Sequence, residues 1–208
     1  MGWIAITFYT SGTGYEQEVR KLRASAQALS IPLVEYAFPS RNNWRSNLNY
    51  KSQCILEAML AHAGEDIVFI DADAIIRKRP VLFDELSASG DYDIAFHRFS
   101  QSRLDPGKEL LSGTLWIANS EIGRVVVTEW HREATGRPAI RHQRALDEVL
   151  KGKCRGARQF LLPIEYTAIY DHPAVRGRVE PVIEHFQASR RLRRAISVAG
   201  GPFGAIGR

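Results

Sequence analysis

The chain has 208 residues, of which 45% are apolar and 25% are charged, the balance of a globular protein that can bury a core without disulfides. Its two cysteines form no paired motif, no signal-peptide pattern opens the chain, and no apolar run approaches the roughly 18 residues of a membrane span. We therefore expect a cytoplasmic protein with reduced thiols, and the net charge of +5 suits phosphate-bearing partners without choosing among them.

Strand-like and helix-like segments alternate in the first third of the chain. Apolar spacing predicts a strand, helix, strand, helix and strand at residues 3–10, 16–29, 34–38, 49–63 and 67–70. The last of these strands is continuously apolar, as expected for a strand buried on both faces. This alternation indicates an α/β fold with parallel strands, whose ligands bind beyond the carboxyl ends of those strands.

The remaining segments are less regular. Helices are predicted at residues 82–87, 122–134 and 143–150, and strands at 93–99, 113–118, 159–163 and 182–185. A polar loop at 100–108 separates two of these strands. Since no repeat or linker interrupts the pattern, we expect a single domain over residues 1–195, followed by a flexible, glycine-rich tail at 196–208.

Two aspartates, Asp71 and Asp73, follow the apolar strand at 67–70. Mg²⁺ and Mn²⁺ take oxygen ligands, usually one or two carboxylates together with the oxygens of a bound diphosphate. A D-x-D pair at a strand end therefore predicts a cation site. The alternative is that Asp71 caps a turn while Asp73 faces water, because short motifs of this kind also arise by chance.

Several further motifs surround this pair in a characteristic order. They are Thr10-Ser11, Tyr50-Lys51 and the segments at residues 69–73, 111–117, 142–146 and 183–186. Together they resemble the glycosyltransferases of the GT-A fold, in particular retaining families such as GT8 and GT77 that carry a D-x-D motif. The resemblance extends from residue 3 to about residue 191 and implies a Rossmann-like central mixed sheet flanked by helices.

The resemblance also implies a ligand set for the cation and the donor. The cation would be held by Asp71, Asp73 and His185, with Mn²⁺ or Mg²⁺ as the metal and a nucleotide-diphosphate sugar, expected to be a UDP-sugar, as the donor. Residues implied to bind the donor are Thr10, Ser11 and Tyr15 around base and ribose, Lys51 at the phosphates or sugar, Ala72, and Ser112, Gly113 and Thr114 against the sugar.

The chain departs from the family pattern at two places. His142 stands where an aspartate is common; with Gln143 and Asp73 it is assigned to the catalytic residues. The glycine and lysine that usually trail the late histidine are absent, so contact with the diphosphate is expected to pass to Ser189 or Arg190. The resemblance favours retention of configuration, with no protein nucleophile assigned.

The acceptor stays open between two classes, a glycan and a modified base in DNA of the kind that phage enzymes glycosylate. Arg190, Arg191, Arg193 and Arg194 also suit peripheral contact with an anionic surface. Two other functions are the alternatives. A sugar-nucleotide nucleotidyltransferase is expected to carry a basic Gly-rich loop, which residues 11–16 lack; a non-catalytic nucleic-acid-binding protein is supported by the arginine-rich end alone.

Overall fold

The structure is a computed structural model that describes residues 2–41, 44–99, 109–137 and 140–192, without the side chains of residues 44 and 45. Its strands are β1 (Gly2–Thr10), β2 (Leu33–Phe38), β3 (Glu65–Ile70), β4 (Ala74–Ile76), β5 (Ile94–Phe99), β6 (Glu109–Ile117), β7 (Gln159–Leu161), β8 (Ala168–Ile169) and β9 (Ile183–His185). Its helices are α1 (Tyr15–Ala28), α2 (Trp44–Leu48), α3 (Tyr50–Ala61), α4 (Val81–Ser89), α5 (Glu121–Gly136) and α6 (His142–Lys151), with a 3-10 turn at Ile164–Thr167.

The main sheet is mixed and has the strand order β2-β1-β3-β6-β5-β7. Strands β1, β2 and β3 run parallel, as the alternating pattern predicts, whereas β6 runs antiparallel to both of its neighbours. In the register of β3 with β6, Ile70 pairs with Thr114. The middle of β6, and not one of its ends, therefore lies beside the carboxyl end of β3, which the two aspartates follow.

A second sheet has three strands in the order β4-β9-β8 and lies beside the carboxyl end of β3. Strand β4 begins at Ala74, directly after the aspartate pair, and Ala74 pairs with His185 in β9. The chain therefore returns from the far end of the sequence to a position beside the aspartates. The aspartates after β3, the middle of β6 and strand β9 therefore lie at one site.

The core lies on both faces of the main sheet. Along β3 the side chains alternate between two apolar clusters, with Ile67 and Phe69 in one and Val68 and Ile70 in the other. All four are almost fully buried, which confirms the expectation of a strand covered on both sides. Fully burying each of these side chains stabilises the fold by about 1.5–3 kcal/mol, so the strand that carries the aspartates is firmly held.

The structure differs from the predicted elements mainly where segments are short. Four elements are not predicted by periodicity: α2, β4, β8 and the 3-10 turn at Ile164–Thr167. Strand β6 begins at Glu109, four residues before the predicted start. Runs of two to five residues are too short to show a period, and their structure depends on pairing with distant strands. The predicted loop at 100–108 and the tail at 196–208 lie outside the described residues.

Candidate metal and donor site

Asp71, Asp73 and His185 come together at the carboxyl end of β3. One ligand atom from each residue lies within 4.8 Å of those of the other two. The backbone fixes this arrangement, because the Asp71 amide donates to the carbonyl of Gly113 (2.8 Å) and the Phe186 amide donates to the carbonyl of Asp73 (3.0 Å). Two carboxylates and an imidazole at this spacing form a donor set suited to Mn²⁺.

The absence of a side chain at Gly113 keeps this cluster open. A Cβ added there would lie 3.0 Å from His185 Cε1 and 3.2 Å from Asp71 Oδ2. A methyl group in that position would occupy the space between the carboxylate and the imidazole. The residues present therefore fit a bound cation in both their chemistry and the space that they leave.

Lys51 is the buried counter-ion of Asp71. Its side chain is 2% exposed, and its Nζ lies 2.7 Å from Asp71 Oδ1 and donates to the Ser112 carbonyl at 2.8 Å. The resemblance implies that this lysine contacts the donor phosphates or sugar. In the structure its ammonium holds one oxygen of Asp71, and the other carboxylate oxygen, Oδ2, faces the space beside Gly113. Contact of Lys51 with a donor stays a prediction.

The pKa values of Asp73 and His185 are shifted in opposite directions. Burial and the neighbouring Asp71 raise the pKa of Asp73 to about 6, although the Ala188 amide donates to its Oδ2 at 2.6 Å. Burial lowers the pKa of His185 to about 4, and the opposing effect of Asp71 does not restore it. At neutral pH the imidazole is uncharged and able to offer a lone pair, and Asp73 is an anion.

His142 and Gln143 begin helix α6 and make hydrogen bonds to strand β6. His142 Nε2 lies 2.9 Å from Ser112 Oγ, and burial holds the pKa of His142 well below its ordinary value. Gln143 donates from Nε2 to the carbonyl of Leu110 at 3.0 Å. His142 therefore connects through Ser112 to Lys51, which donates to Ser112. The position at which aspartate is common in the family is thus a neutral, buried histidine.

The residues expected around base and ribose lie at the end of β1. Thr10 is buried, and its carbonyl accepts from the Thr13 hydroxyl at 2.6 Å. Ser11 is exposed and donates from its hydroxyl to the carbonyl of Phe38 at 3.2 Å. Tyr15 opens helix α1, and its amide donates to Thr13 Oγ1 at 3.3 Å. These contacts hold the turn, while the Ser11 side chain remains open to solvent.

A helical segment at residues 188–192 joins this turn to the aspartates. Its first residue, Ala188, donates to Asp73, and its last, Leu192, packs on Gly14, where an added Cβ would meet Leu192 Cδ2 at 2.5 Å. Sequence reasoning missed both contacts. A backbone amide and a leucine carry no motif, so no signal in the sequence identifies them.

The arginines of this segment are already paired. Arg190 donates to Asp171 at 2.9 Å, and Arg191 pairs with the buried Glu18. Ser189 is half-buried in the same turn, and Ala72, between the two aspartates, is buried. Arg193 and Arg194 lie outside the described residues. None of the helices in the described ranges combines the length and apolar character that crossing a bilayer requires.

Comparisons with known proteins identify the fold. No protein-family model and no curated protein matches the chain. Among solved structures it is similar to a glycosyltransferase involved in glycosylation of the major capsid of the virus PBCV-1, with a TM-score of 0.64 and 13% identity over 93% of this chain and 98% of that one. It is also similar to the glycosyltransferase GlyE of Streptococcus pneumoniae TIGR4, with a TM-score of 0.60 and 14% identity over 89% of this chain, which spans 55% of GlyE. The predicted fold class, a mixed α/β sheet flanked by helices as in glycosyltransferase structures, is confirmed.

Proposed function

We propose that the chain is a glycosyltransferase that uses Mn²⁺ or Mg²⁺ to bind a nucleotide-diphosphate sugar and transfers the sugar to an acceptor hydroxyl. The observation that carries the proposal is the convergence of Asp71, Asp73 and His185 at the carboxyl end of β3. In α/β folds this is the end of the sheet at which ligands bind. The fold shared with the two glycosyltransferase structures supports the same assignment.

Each group at the site has a separate task in the proposed reaction. Asp71, Asp73 and His185 would hold the cation, which would supply Lewis-acid neutralisation of the charge that develops on the leaving nucleotide diphosphate. Lys51 fixes Asp71 through Oδ1 and leaves Oδ2 for the cation. Gly113 keeps the space beside that oxygen free.

The donor is proposed to extend from the aspartates toward the end of β1. UDP is the nucleotide we expect, with its base and ribose near Thr10, Ser11 and Tyr15. The helical segment at residues 188–192 bridges these two places, since it contacts both Asp73 and Gly14. Ser189 lies on this segment and is our candidate for diphosphate contact, because Arg190 is engaged with Asp171.

Retention of the anomeric configuration is proposed for the transfer. The two side chains assigned to the reacting sugar, Gln143 and His142, hold hydrogen bonds to Leu110 and Ser112 within the protein. They are suited to orienting the sugar face rather than to attacking it, and orientation alone contributes on the order of 7 kcal/mol. NMR of the glycoside product assigns its anomeric configuration; the configuration of the donor is expected, and the opposite one would contradict retention.

A glycan is the acceptor we favour over DNA. Four arginines around this end of the molecule are ion-paired: Arg77 with Glu184, Arg98 with Asp147, Arg190 with Asp171, and Arg191 with Glu18. A polyanion must compete with these carboxylates for its phosphate contacts. DNA remains the alternative, with the exposed Arg176 and Arg178 as its contacts. Strong salt dependence of acceptor binding would favour DNA, because phosphate contacts release counterions.

A nucleotide panel tests the proposal. Thermal unfolding is followed with Mn²⁺ and UDP, GDP, CDP or dTDP, since a ligand at a hundred times its Kd stabilises the native state by about 2.7 kcal/mol. We expect UDP with Mn²⁺ to raise the Tm, and the corresponding UDP-sugars to be hydrolysed slowly to UDP. Asp73→Asn should abolish both effects.

The matched control is Asp91→Asn, which removes an exposed carboxylate before β5, at the end of the strands opposite to the aspartate pair. It should behave as the wild-type chain does. Equal stabilisation of wild type and Asp73→Asn would contradict the proposed site. Retention of DNA without any donor hydrolysis would favour a nucleic-acid-binding protein, and formation of pyrophosphate from UTP and a sugar phosphate would favour a nucleotidyltransferase.

A further inference from the structure

We propose that Thr114 is a positioning residue for the cation site: its hydroxyl accepts the Nε2–H of His185 and so directs the Nδ1 lone pair toward Asp71. The inference rests on the proposed function, because it concerns how one ligand of the proposed cation is held. Thr114 acts through His185 and not on the reacting atoms.

The two ring nitrogens of His185 have different neighbours. Nε2 lies 2.9 Å from Thr114 Oγ1. Nδ1 faces Gly113, where an added Cβ would lie 3.2 Å from Nδ1 and 3.2 Å from Asp71 Oδ2. Nδ1 and Asp71 Oδ2 therefore border the same space, and Nε2 is turned to the threonine.

A neutral imidazole carries one N–H, and the nitrogen that binds a metal must be the other one. Metal-binding histidines usually donate this remaining N–H to an oxygen that fixes both the tautomer and the orientation of the ring. The Thr114 hydroxyl is the oxygen in that position. With the proton on Nε2, the lone pair of Nδ1 points into the space that Gly113 leaves open.

Strand position alone does not explain a threonine at residue 114. In β6, Thr114 pairs with Ile70 of β3, and valine would fit this β-strand position as well. Thr114 and His185 are 0% and 3% exposed, so water cannot readily replace the hydroxyl. The side chain of Thr114 thus distinguishes this position from an ordinary apolar strand position.

The test compares Mn²⁺ binding by four proteins, with free Mn²⁺ measured by electron paramagnetic resonance. Thr114→Val removes the hydroxyl and keeps the shape, and Thr114→Ser keeps the hydroxyl. Thr7→Val is the matched control, because the Thr7 hydroxyl is buried and has no hydrogen-bond partner among the described residues. We expect Thr114→Val to weaken Mn²⁺ binding by about 10- to 100-fold, and the other two variants to stay within about twofold of wild type.

The tautomer is read directly by ¹⁵N NMR of the wild-type protein with Mg²⁺, the His185 signal being assigned by its loss in His185→Gln. The proton is expected on Nε2, and a proton on Nδ1 would overturn the inference. Equal Mn²⁺ affinity of wild type and Thr114→Val would overturn it while leaving the cation site intact. A wild-type chain that binds no Mn²⁺ would overturn both, and if Thr114→Val does not fold, the NMR result decides.

Discussion

The candidate site and the surface of helices α5 and α6 both contain ion pairs of a lysine with carboxylates. In the site, Lys51 pairs with Asp71 at 2.7 Å, and its side chain is 2% exposed. On the surface, Lys153 pairs with Glu129 at 2.9 Å and with Glu133 at 3.0 Å, and its side chain is 53% exposed. The lysines of the two regions pair with carboxylates at similar distances and differ in their own access to water.

We expect the burial of the lysine, rather than its distance from the carboxylate, to decide what each of these ion pairs does. A solvated pair gains little because water already stabilises each charge. A buried charge that loses its partner has no water to replace it. The pair in the site therefore fixes one conformation of Asp71, whereas the surface pairs mainly keep the helices soluble.

Removing the charge of Asp71 is expected to have the largest effect. Asp71→Asn keeps the volume of the side chain, deletes a proposed cation ligand and leaves the Lys51 ammonium without its carboxylate. We expect nucleotide-sugar turnover with Mn²⁺ to fall by at least about 100-fold, the size of effect seen when one stabilising group at a transition state is lost. Steady-state kinetics measure it, and turnover within tenfold of wild type would contradict the assignment.

Lys51→Met tests the other partner of the pair. The Ser112 carbonyl loses its donor, whereas Asp71, whose side chain is 36% exposed, keeps its contact with water, so the metal-free protein should lose about 1–3 kcal/mol of unfolding free energy, chiefly through the unpaired carbonyl. Because a cation can take over the exposed oxygen of Asp71, Mn²⁺ should stabilise the variant more than it stabilises wild type. Urea unfolding with and without Mn²⁺ separates the two effects; equal stabilisation of both proteins would show that lysine and cation do not share Asp71.

The affinity for Mn²⁺ is expected to depend on pH through Asp73. The pKa of Asp73 is raised to about 6, so the metal-free protein holds a proton there that a cation must displace as the pH falls below 6. The pKa of His185 is lowered to about 4, so this ligand stays neutral over the same range. We expect the Kd for Mn²⁺ to rise by about fivefold between pH 6 and pH 5, because Asp73 goes from about half to about nine-tenths protonated over this range. A Kd that stays constant between these pH values would contradict the assignment.

The same two groups affect the stability of the metal-free protein in opposite directions. The raised pKa of Asp73 makes the native state bind an extra proton, so its contribution to stability decreases as the pH rises from about 4 to about 6. The lowered pKa of His185 contributes stability that is present above pH 6.5 and is lost as the pH falls toward 4. Unfolding of His185→Gln across this range isolates the second effect.

The smallest effect is expected on the surface. Lys153→Ala removes an ammonium group that pairs with both Glu129 and Glu133, but Lys153 is 53% exposed and its ion pairs are screened by water. The midpoint of thermal unfolding should agree with that of wild type within the error of the melt, at low salt and at high salt. A clear loss of stability would show that the surface ion pairs stabilise the fold and do more than keep the helices soluble.

The sequence predicts the frame of the site better than its details. The apolar strand at residues 67–70 and its two aspartates are visible as a local pattern, and so is the α/β alternation before them. The contact of Ala188 with Asp73 is not, because a backbone amide has no sequence signature. Lys51 contacts Asp71 and Ser112, which lie 20 and 61 residues away from it in the sequence. Only the pairing of β3 with β6 brings these two partners together.

Crystals grown with Mn²⁺ and UDP locate the proposed cation directly, because the anomalous scattering of manganese identifies the ion independently of the fitted chain. We expect one strong peak in contact with Asp71, Asp73 and His185 and with the diphosphate of UDP. A peak elsewhere, or UDP bound away from these side chains, would contradict the proposed site.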